Sequence, residues 1–211
     1  VGGVEAQSET VWRQADRYQV PRIVYVNKMD RVGSDPDKAV RELTDQLGAT
    51  PLVIQVPNGR EDGFRGVIDL VEMKALYFDG DQGETVREAE IPEHMLEATA
   101  EKRNELIEAA SMFSDELLEA ALEDQATTEQ IHDAVRCGVL ELGLTPVFVG
   151  SAYKNKAVQP LLDAVTDYLP GPLDIENKAL DLEKDEAEVR LSGKADDPLV
   201  CLAFKLEDGR Y

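Results

Sequence analysis

Two short stretches carry side chains whose types and spacing have a chemical use. One is Asn27-Lys28-Met29-Asp30, the other Gly150-Ser151-Ala152-Tyr153-Lys154-Asn155-Lys156. Asp30 offers two acceptor oxygens, which suits a ligand edge carrying two adjacent donors. Guanine has such an edge in its ring N–H and exocyclic amine, and adenine does not. Each charge-assisted bond contributes about 1.5 to 3 kcal/mol, so two together discriminate by a few kcal/mol. Asn27 can bridge the two loops and reach the acceptor edge of the base. The aliphatic stem of Lys28 can lie across the ring while its ammonium stays near ribose oxygen or solvent, and Met29 is a packing residue. In Ser151-Ala152-x-Lys154, small residues let backbone N–H groups approach the guanine oxygen, where a bulky substituent would hold the base away. The expected base-binding residues are therefore Asn27, Lys28, Asp30, Ser151, Ala152 and Lys154, with no catalytic residue and no metal ligand among them.

The elements around these loops must bring them together. Ile23-Val24-Tyr25-Val26 precedes the first loop and Pro146-Val147-Phe148-Val149 the second. Both are continuous β-branched or aromatic runs, the pattern of strands buried on both faces of a parallel sheet. Ligands bind at the carboxyl ends of such strands, so the two loops meet if the strands lie close in the sheet. A helix is expected over 9–18, with Ser8 as its N-cap and Val11, Trp12 and Ala15 on one face. A second starts at Asp35-Pro36 and runs to Leu47, where Gly48 supplies a left-handed stop. Residues 51–56 suit one short buried strand. A helix over 158–168 should pack with Leu161, Leu162, Val165 and Leu169 inward, and Pro170-Gly171-Pro172 ends it. The fold class is α/β, a partial sheet with helices on both faces.

From about Arg65 the texture changes. Strands are expected at 66–71, 74–78 and 85–89 around the turn-rich Gly80-Asp81-Gln82-Gly83, followed by acidic helices at 92–110, 114–122 and 128–142. Together they make an inserted α+β subdomain. The charged stretch 171–197 reads as a connector. Residues 198–206 alternate toward a strand, with a hairpin turn at Glu207-Asp208-Gly209-Arg210. The expected division is 1–65 with 144–170, then 66–143, 171–197 and 198–211. Val1-Gly2-Gly3 reads as chain already under way, hence an internal piece.

Asp and Glu number 43 against 22 Lys and Arg, a net charge of -21, so the chain should repel nucleic-acid phosphates and prefer basic protein partners. Glu93, Glu97, Glu101, Glu105 and Glu108 form a stripe on one expected helix. Like charges at this spacing oppose the helix by a few tenths of a kcal/mol, roughly, per pair, relieved in part by Lys102 and Arg103. The stripe is either a solvated face or a docking surface. Cys137 and Cys201 lack metal-ligand spacing and read as buried reduced thiols, while His94 and His132 read as helix-surface residues without recruiting neighbours. No apolar run approaches the roughly 18 residues of a bilayer span, so a cytoplasmic protein is expected.

Taken together, the two loops closely resemble the guanine-recognition loops of the elongation factor G family of translational GTPases. Residues 1–15 resemble the stretch after that family's second switch, and Leu161-Leu162-Asp163-Ala164-Val165 with Tyr168-Leu169-Pro170 resembles the last helix of its GTPase domain. Residues 77–87 (Tyr77 to Arg87) and 203–211 (Ala203 to Tyr211) are also similar to its bacterial and mitochondrial translocase branch. The resemblance implies a P-loop GTPase sheet, an inserted subdomain between the loops, and the first strand of a β-barrel domain after 198. It implies GTP or GDP as ligand, a parent that uses GTP to drive translocation on the ribosome, and a contact of the insertion with the ribosomal stalk through the acidic stripe. RNA contacts would fall to other domains. The phosphate-cradling Gly-x-x-x-x-Gly-Lys-Ser/Thr loop and both switches are absent from this sequence. By that resemblance magnesium binds only in the longer parent, and the chain alone is inactive. Other translational GTPases share both loops, and a non-catalytic stalk-binding module is the alternative of a different class.

Overall fold

The computed structural model describes residues 2–203. They fall into two compact units, one ending at Leu169 and the other beginning at Pro170. In the first, helix α1 (Ala6–Arg17) starts earlier than expected: its N-cap is Glu5, without a side-chain cap, and Ser8 lies inside the first turn. Ala6 and Gln7 favour helix enough to extend it beyond the serine. Trp12 is held under the Arg22 guanidinium, 4.3 Å from the ring centroid, and Arg22 also pairs with Asp16 at 2.6 Å. Strand β1 (Val24–Val26) is half-buried at every position, short of the burial on both faces that its run of residues suggested. Helix α2 (Pro36–Leu47) is as expected, capped by the Asp35 carboxylate and stopped by Gly48 at φ 62°.

The run at 51–56 divides between two sheets. Strand β2 (Pro51–Val53) joins the parallel sheet, and β3 (Gln55–Asn58) begins an antiparallel one. Ile54 is the shared residue: its N–H donates to the Val147 carbonyl, and its own carbonyl accepts from Leu70 N–H. A continuous apolar run cannot reveal such a transfer, because both sheets bury the same residue types. The antiparallel sheet has the order β3, β4 (Gly66–Asp69), β5 (Lys74–Asp79), β6 (Thr85–Ala89). Helices α3 (Leu96–Ser111), α4 (Asp115–Leu122) and α5 (Thr128–Leu140) follow. Ser114 caps α4, and Thr127 with Gln130 forms a capping box on α5. Arg103 does not relieve the acidic stripe. Its guanidinium turns inward and donates to the carbonyls of Leu70 and Val71, fastening α3 to the end of β4.

Strand β7 (Thr145–Val149) is buried throughout and lies between β1 and β2, parallel to both. Helix α6 (Gln159–Tyr168) covers the core with Ala164 and Tyr168, while Leu162 is 61% exposed and Val165 also faces outward. Two overlapping faces fit helical spacing here, and the small Ala164 permits the closer approach. His132 is not an isolated surface residue. Its ring stacks on Tyr168, Nδ1 lies 2.7 Å from the Tyr168 hydroxyl, and Nε2 lies 3.5 Å from Glu72. This ties α5 to α6. The cysteines are free, but Cys137 is only half-buried and Cys201 is exposed, contrary to the expectation of buried thiols.

In the second unit, residues within the expected connector form a hairpin of β8 (Asn177–Asp181) and β9 (Ala187–Leu191). Its mixed charges pair locally, Lys178 with Glu188 at 2.7 Å and Arg190 with Glu176 at 2.6 Å, which lets a polar segment form strands without a core. Residues 198–203 are not strand. The remainder of the expected strand and the turn at 207–210 lie outside the described residues, and no closed barrel occurs among those described. No described helix is long and apolar enough to cross a membrane.

Asp69 ends β4 and accepts from Val71 N–H at 2.9 Å and Glu72 N–H at 3.0 Å, with Gln55 Nε2 at 3.4 Å. Gln55 Oε1 is buried without a partner among the described residues. Burial raises the Asp69 carboxyl above its ordinary value of 3.8. A raised folded-state value means that Asp69 favours folding most fully below 3.8, and that this contribution is lost as pH rises through the folded value. Asp69→Asn keeps the acceptor for the turn and gains an amide donor for Gln55 Oε1. We predict that it leaves stability at pH 7 equal or higher by about 1 kcal/mol. Urea unfolding at pH 4.5 and 7 checks this, and a lower midpoint for the variant at pH 7 contradicts it.

Candidate functional site

The site begins with register. Val26 of β1 stands opposite Val149 of β7, so Asn27 and Gly150 leave the sheet at the same level. The loops then lock together: Gly150 N–H donates to the Val26 carbonyl at 3.0 Å, and Met29 N–H to the Gly150 carbonyl at 3.0 Å. Gly150 is required by close approach, because a Cβ there would come within 2.2 Å of the Tyr25 hydroxyl. That hydroxyl donates to the Lys156 carbonyl at 3.1 Å, and its burial pushes the Tyr25 pKa up to about 12. The second loop closes on itself through paired backbone bonds between Ser151 and Lys156.

Asp30 and Ser151 meet directly. The Ser151 hydroxyl donates to Asp30 Oδ1 at 2.7 Å, and Oδ2 lies 3.5 Å from Lys154 Nζ and 4.0 Å from Arg31 Nε. The Asp30 side chain is 7% exposed. The Ser151 hydrogen bond, aided by Lys154, holds this carboxyl below its ordinary 3.8 and keeps it ionised at neutral pH. Asn27 bridges the loops: its Oδ1 accepts from Lys28 N–H at 2.7 Å and Ala152 N–H at 3.0 Å. Lys28 sits at φ 66° with its side chain exposed. Of the six residues singled out in the sequence, Asn27, Asp30, Ser151, Ala152 and Lys154 are therefore joined by direct contacts. Lys28 adjoins them through its backbone.

Sequence reasoning assigned Met29 to packing but missed the residues it packs against beneath the loops. Met29 is fully buried in a cluster with Val149, Ala157, Phe64, Val67 and Phe78. Its carbonyl accepts from the Ser34 hydroxyl at 3.0 Å and Glu61 N–H at 2.9 Å. Lys156 reaches the Phe64 carbonyl at 3.0 Å. Of this support, Val67 and Phe78 come from the antiparallel sheet. The one local signal for any of it is the glycine immediately before Ser151. No group of three or more His, Cys, Asp or Glu residues that could hold a metal ion converges among the described residues.

The whole of this site falls within residues 1–171, which match the elongation factor Tu GTP binding domain family. The chain belongs to that family. Among its relatives, elongation factor G 2 of Anaeromyxobacter dehalogenans is 56% identical over the full chain, elongation factor G 1 of Syntrophus aciditrophicus 54%, and elongation factor G 1 of Treponema pallidum 53%. The chain spans 30% of the length of each. A crystal structure of a Thermus thermophilus protein superposes with a TM-score of 0.72 at 31% identity, covering 85% of this chain and 27% of that one.

Family membership places Asp30 and Ser151 in a GTP-binding domain, where their mutual hydrogen bond has a measurable signature. Ser151→Ala should move the Asp30 titration midpoint up toward 3.8. It should also lower stability at neutral pH, because the stabilisation tied to a depressed carboxyl is present above 3.8 and lost as pH falls through the folded value. The stability gap between wild type and variant should accordingly close in acid. Carboxyl NMR titration and urea unfolding at pH 7 and pH 3 read both effects. An unmoved midpoint would show that Ser151 is not the dominant partner.

Proposed function

We propose that this chain is the guanine-recognising part of an elongation factor G whose GTP hydrolysis drives movement of messenger and transfer RNA on the ribosome. The observation that carries this reading is the ionised, nearly buried Asp30 held by Ser151 beside the Asn27–Ala152 bridge. In this reading the Asp30 carboxylate accepts from the ring N–H and amine of guanine. Ser151 fixes its orientation while leaving acceptor capacity on both oxygens. Ala152 N–H and the Asn27 side chain serve the opposite edge, Lys28 covers the ring face, and Lys154 stays near the carboxylate. The residues select a base and position a nucleotide. They perform no bond-breaking step, so the chain by itself does not hydrolyse GTP. Phosphate and magnesium would be held by a phosphate loop and switches that this sequence does not contain.

Residues 66–143 serve, on the same proposal, as an inserted subdomain that meets the ribosomal stalk in the cytoplasm. Glu97, Glu101, Glu105 and Glu108 lie on α3, whereas Glu93, expected on the same helix, falls in the 3-10 turn Glu93–Met95 before it. All five are exposed, and among the described residues only Glu105 of the five has a close cation, Lys102 at 2.6 Å. With Arg103 turned inward, the stripe keeps a strongly negative field that would speed encounter with a basic partner more than it would add affinity.

Two experiments test these roles in the full-length factor. Asp30→Asn should cut guanine-nucleotide affinity by about 100-fold and shift preference toward xanthine nucleotides, whose extra carbonyl accepts from the new amide. Unchanged GTP preference would remove Asp30 as the selector. Reversing Glu97, Glu101 and Glu105 to Lys should slow ribosome-stimulated GTP hydrolysis several-fold at low salt, with the difference shrinking at about 0.5 M salt. Equal rates at low salt would leave the stripe a solvated face.

A further inference from the structure

The turn between β5 and β6 touches the second recognition loop directly. Gly83 is buried in this otherwise exposed turn and adopts φ 63°. Its carbonyl accepts from Gln159 Nε2 at 2.9 Å and from Asn155 Nδ2 at 3.5 Å. On its other side there is no room: a Cβ on Gly83 would come within 2.7 Å of the Lys154 carbonyl and 2.9 Å of the Asn155 carbonyl. Asn155 itself sits in a left-handed conformation at φ 49°, ending the short turn that presents Ala152 and Lys154. Phe78, on the strand leading into the Gly83 turn, packs in the cluster that holds Met29 and Val149 beneath both loops.

We infer that Gly83 is a positioning residue for base recognition: the β5–β6 turn sets the height of the Ser151–Lys154 loop, and with it the placement of Ala152 N–H, which donates to Asn27 Oδ1 in this structure and is shared with the guanine oxygen when a base is bound. The inference rests on the guanine reading above. A backbone carbonyl cannot withdraw like a flexible side chain, so any substituent at Gly83 must push the turn or the loop. The turn is anchored through Phe78, whereas the loop carries its exposed end outward, with Tyr153 91% exposed. The loop is therefore the part that yields. Displacing it also moves Ser151 and Lys154 beside Asp30. The two donors that Asp30 accepts are the same in every guanine analogue, however, so the loss specific to the guanine oxygen shows in the preference between analogues that differ there.

The test measures binding of GDP and of 6-thio-GDP to the full-length factor. The thio analogue keeps both donors for Asp30 but replaces the oxygen with sulfur, a weaker acceptor. Gly83→Ala should lower GDP affinity by about tenfold and bring the preference for GDP over 6-thio-GDP toward unity. Gln159→Leu removes the donor to Gly83 without straining the turn, and should move both readouts in the same direction by about threefold. A general loss of stability would reduce both affinities together and leave the preference intact, which would overturn the positioning role. Should Gly83→Ala fail to fold, the Gln159 variant decides. If both variants match wild type while Asp30→Asn switches to xanthine nucleotide, Gly83 does not position the loop and the guanine reading stands. If Asp30→Asn does not switch, the guanine reading itself fails.

Discussion

The parallel pairing of β1 with β7 is the constraint from which the site follows. It aligns Val26 with Val149, and the cross-loop bonds described above lie at that pair and in the few residues beyond it. A slip of one residue would reverse the faces of β7 and separate Asn27 from Ala152. The short distances at Asp30 are thus a property of sheet register before they are a property of the loops. Gly150 enforces the same alignment from above, because the Tyr25 hydroxyl occupies the space a side chain would need.

The antiparallel sheet is part of this scaffold and not an appendage to it. Ile54 hydrogen-bonds into both sheets, and the cluster under Met29 draws Val67 and Phe78 from the second sheet, and Phe64 from the connection before β4, to meet Val149 from the first. Buried packing of this kind passes a displacement on instead of absorbing it, since close-packed side chains have few voids to collapse into. The helices bear on the same unit. Arg103 ties α3 to the carbonyls after β4, and the His132–Tyr168 pair joins α5 to α6.

Much of this architecture was legible in the residues. Asp35-Pro36 and Gly48 marked α2 because capping chemistry is local, and the strand runs before both loops were visible because burial selects β-branched residues whatever the partner. The joined site residues were legible for a different reason: a carboxylate, a carboxamide and small residues at strand ends have few structural uses in combination. What stayed hidden depends on distant parts of the chain. The division at Ile54 looks like one strand because both halves are apolar. The inward face of α6 is decided by whether Ala164 or Val165 meets the sheet, which spacing alone leaves equivalent. The β8–β9 hairpin is held by cross-strand charge pairs that resemble a solvated linker when read in one dimension. His132 gained its neighbours from helix packing, and its own surroundings in sequence give no sign of Tyr168.

Strand β7 lies at the centre of its sheet yet is the last of the three to emerge in sequence, after the entire antiparallel sheet and helices α3 to α5. While the protein is being made, β1 and β2 therefore have no central partner to bind, and their apolar edges wait through the synthesis of everything between. Hairpin and helix contacts close over short stretches and can settle early, whereas the pairing of β7 with β1 and β2 must close a long loop before its energy is recovered. The end of the unit that carries the Asn27–Asp30 and Ser151–Lys156 loops is consequently the last to acquire its shape, and a nascent chain halted before Thr145 presents β1 and β2 without β7, unpaired edges of the kind that chaperones shield.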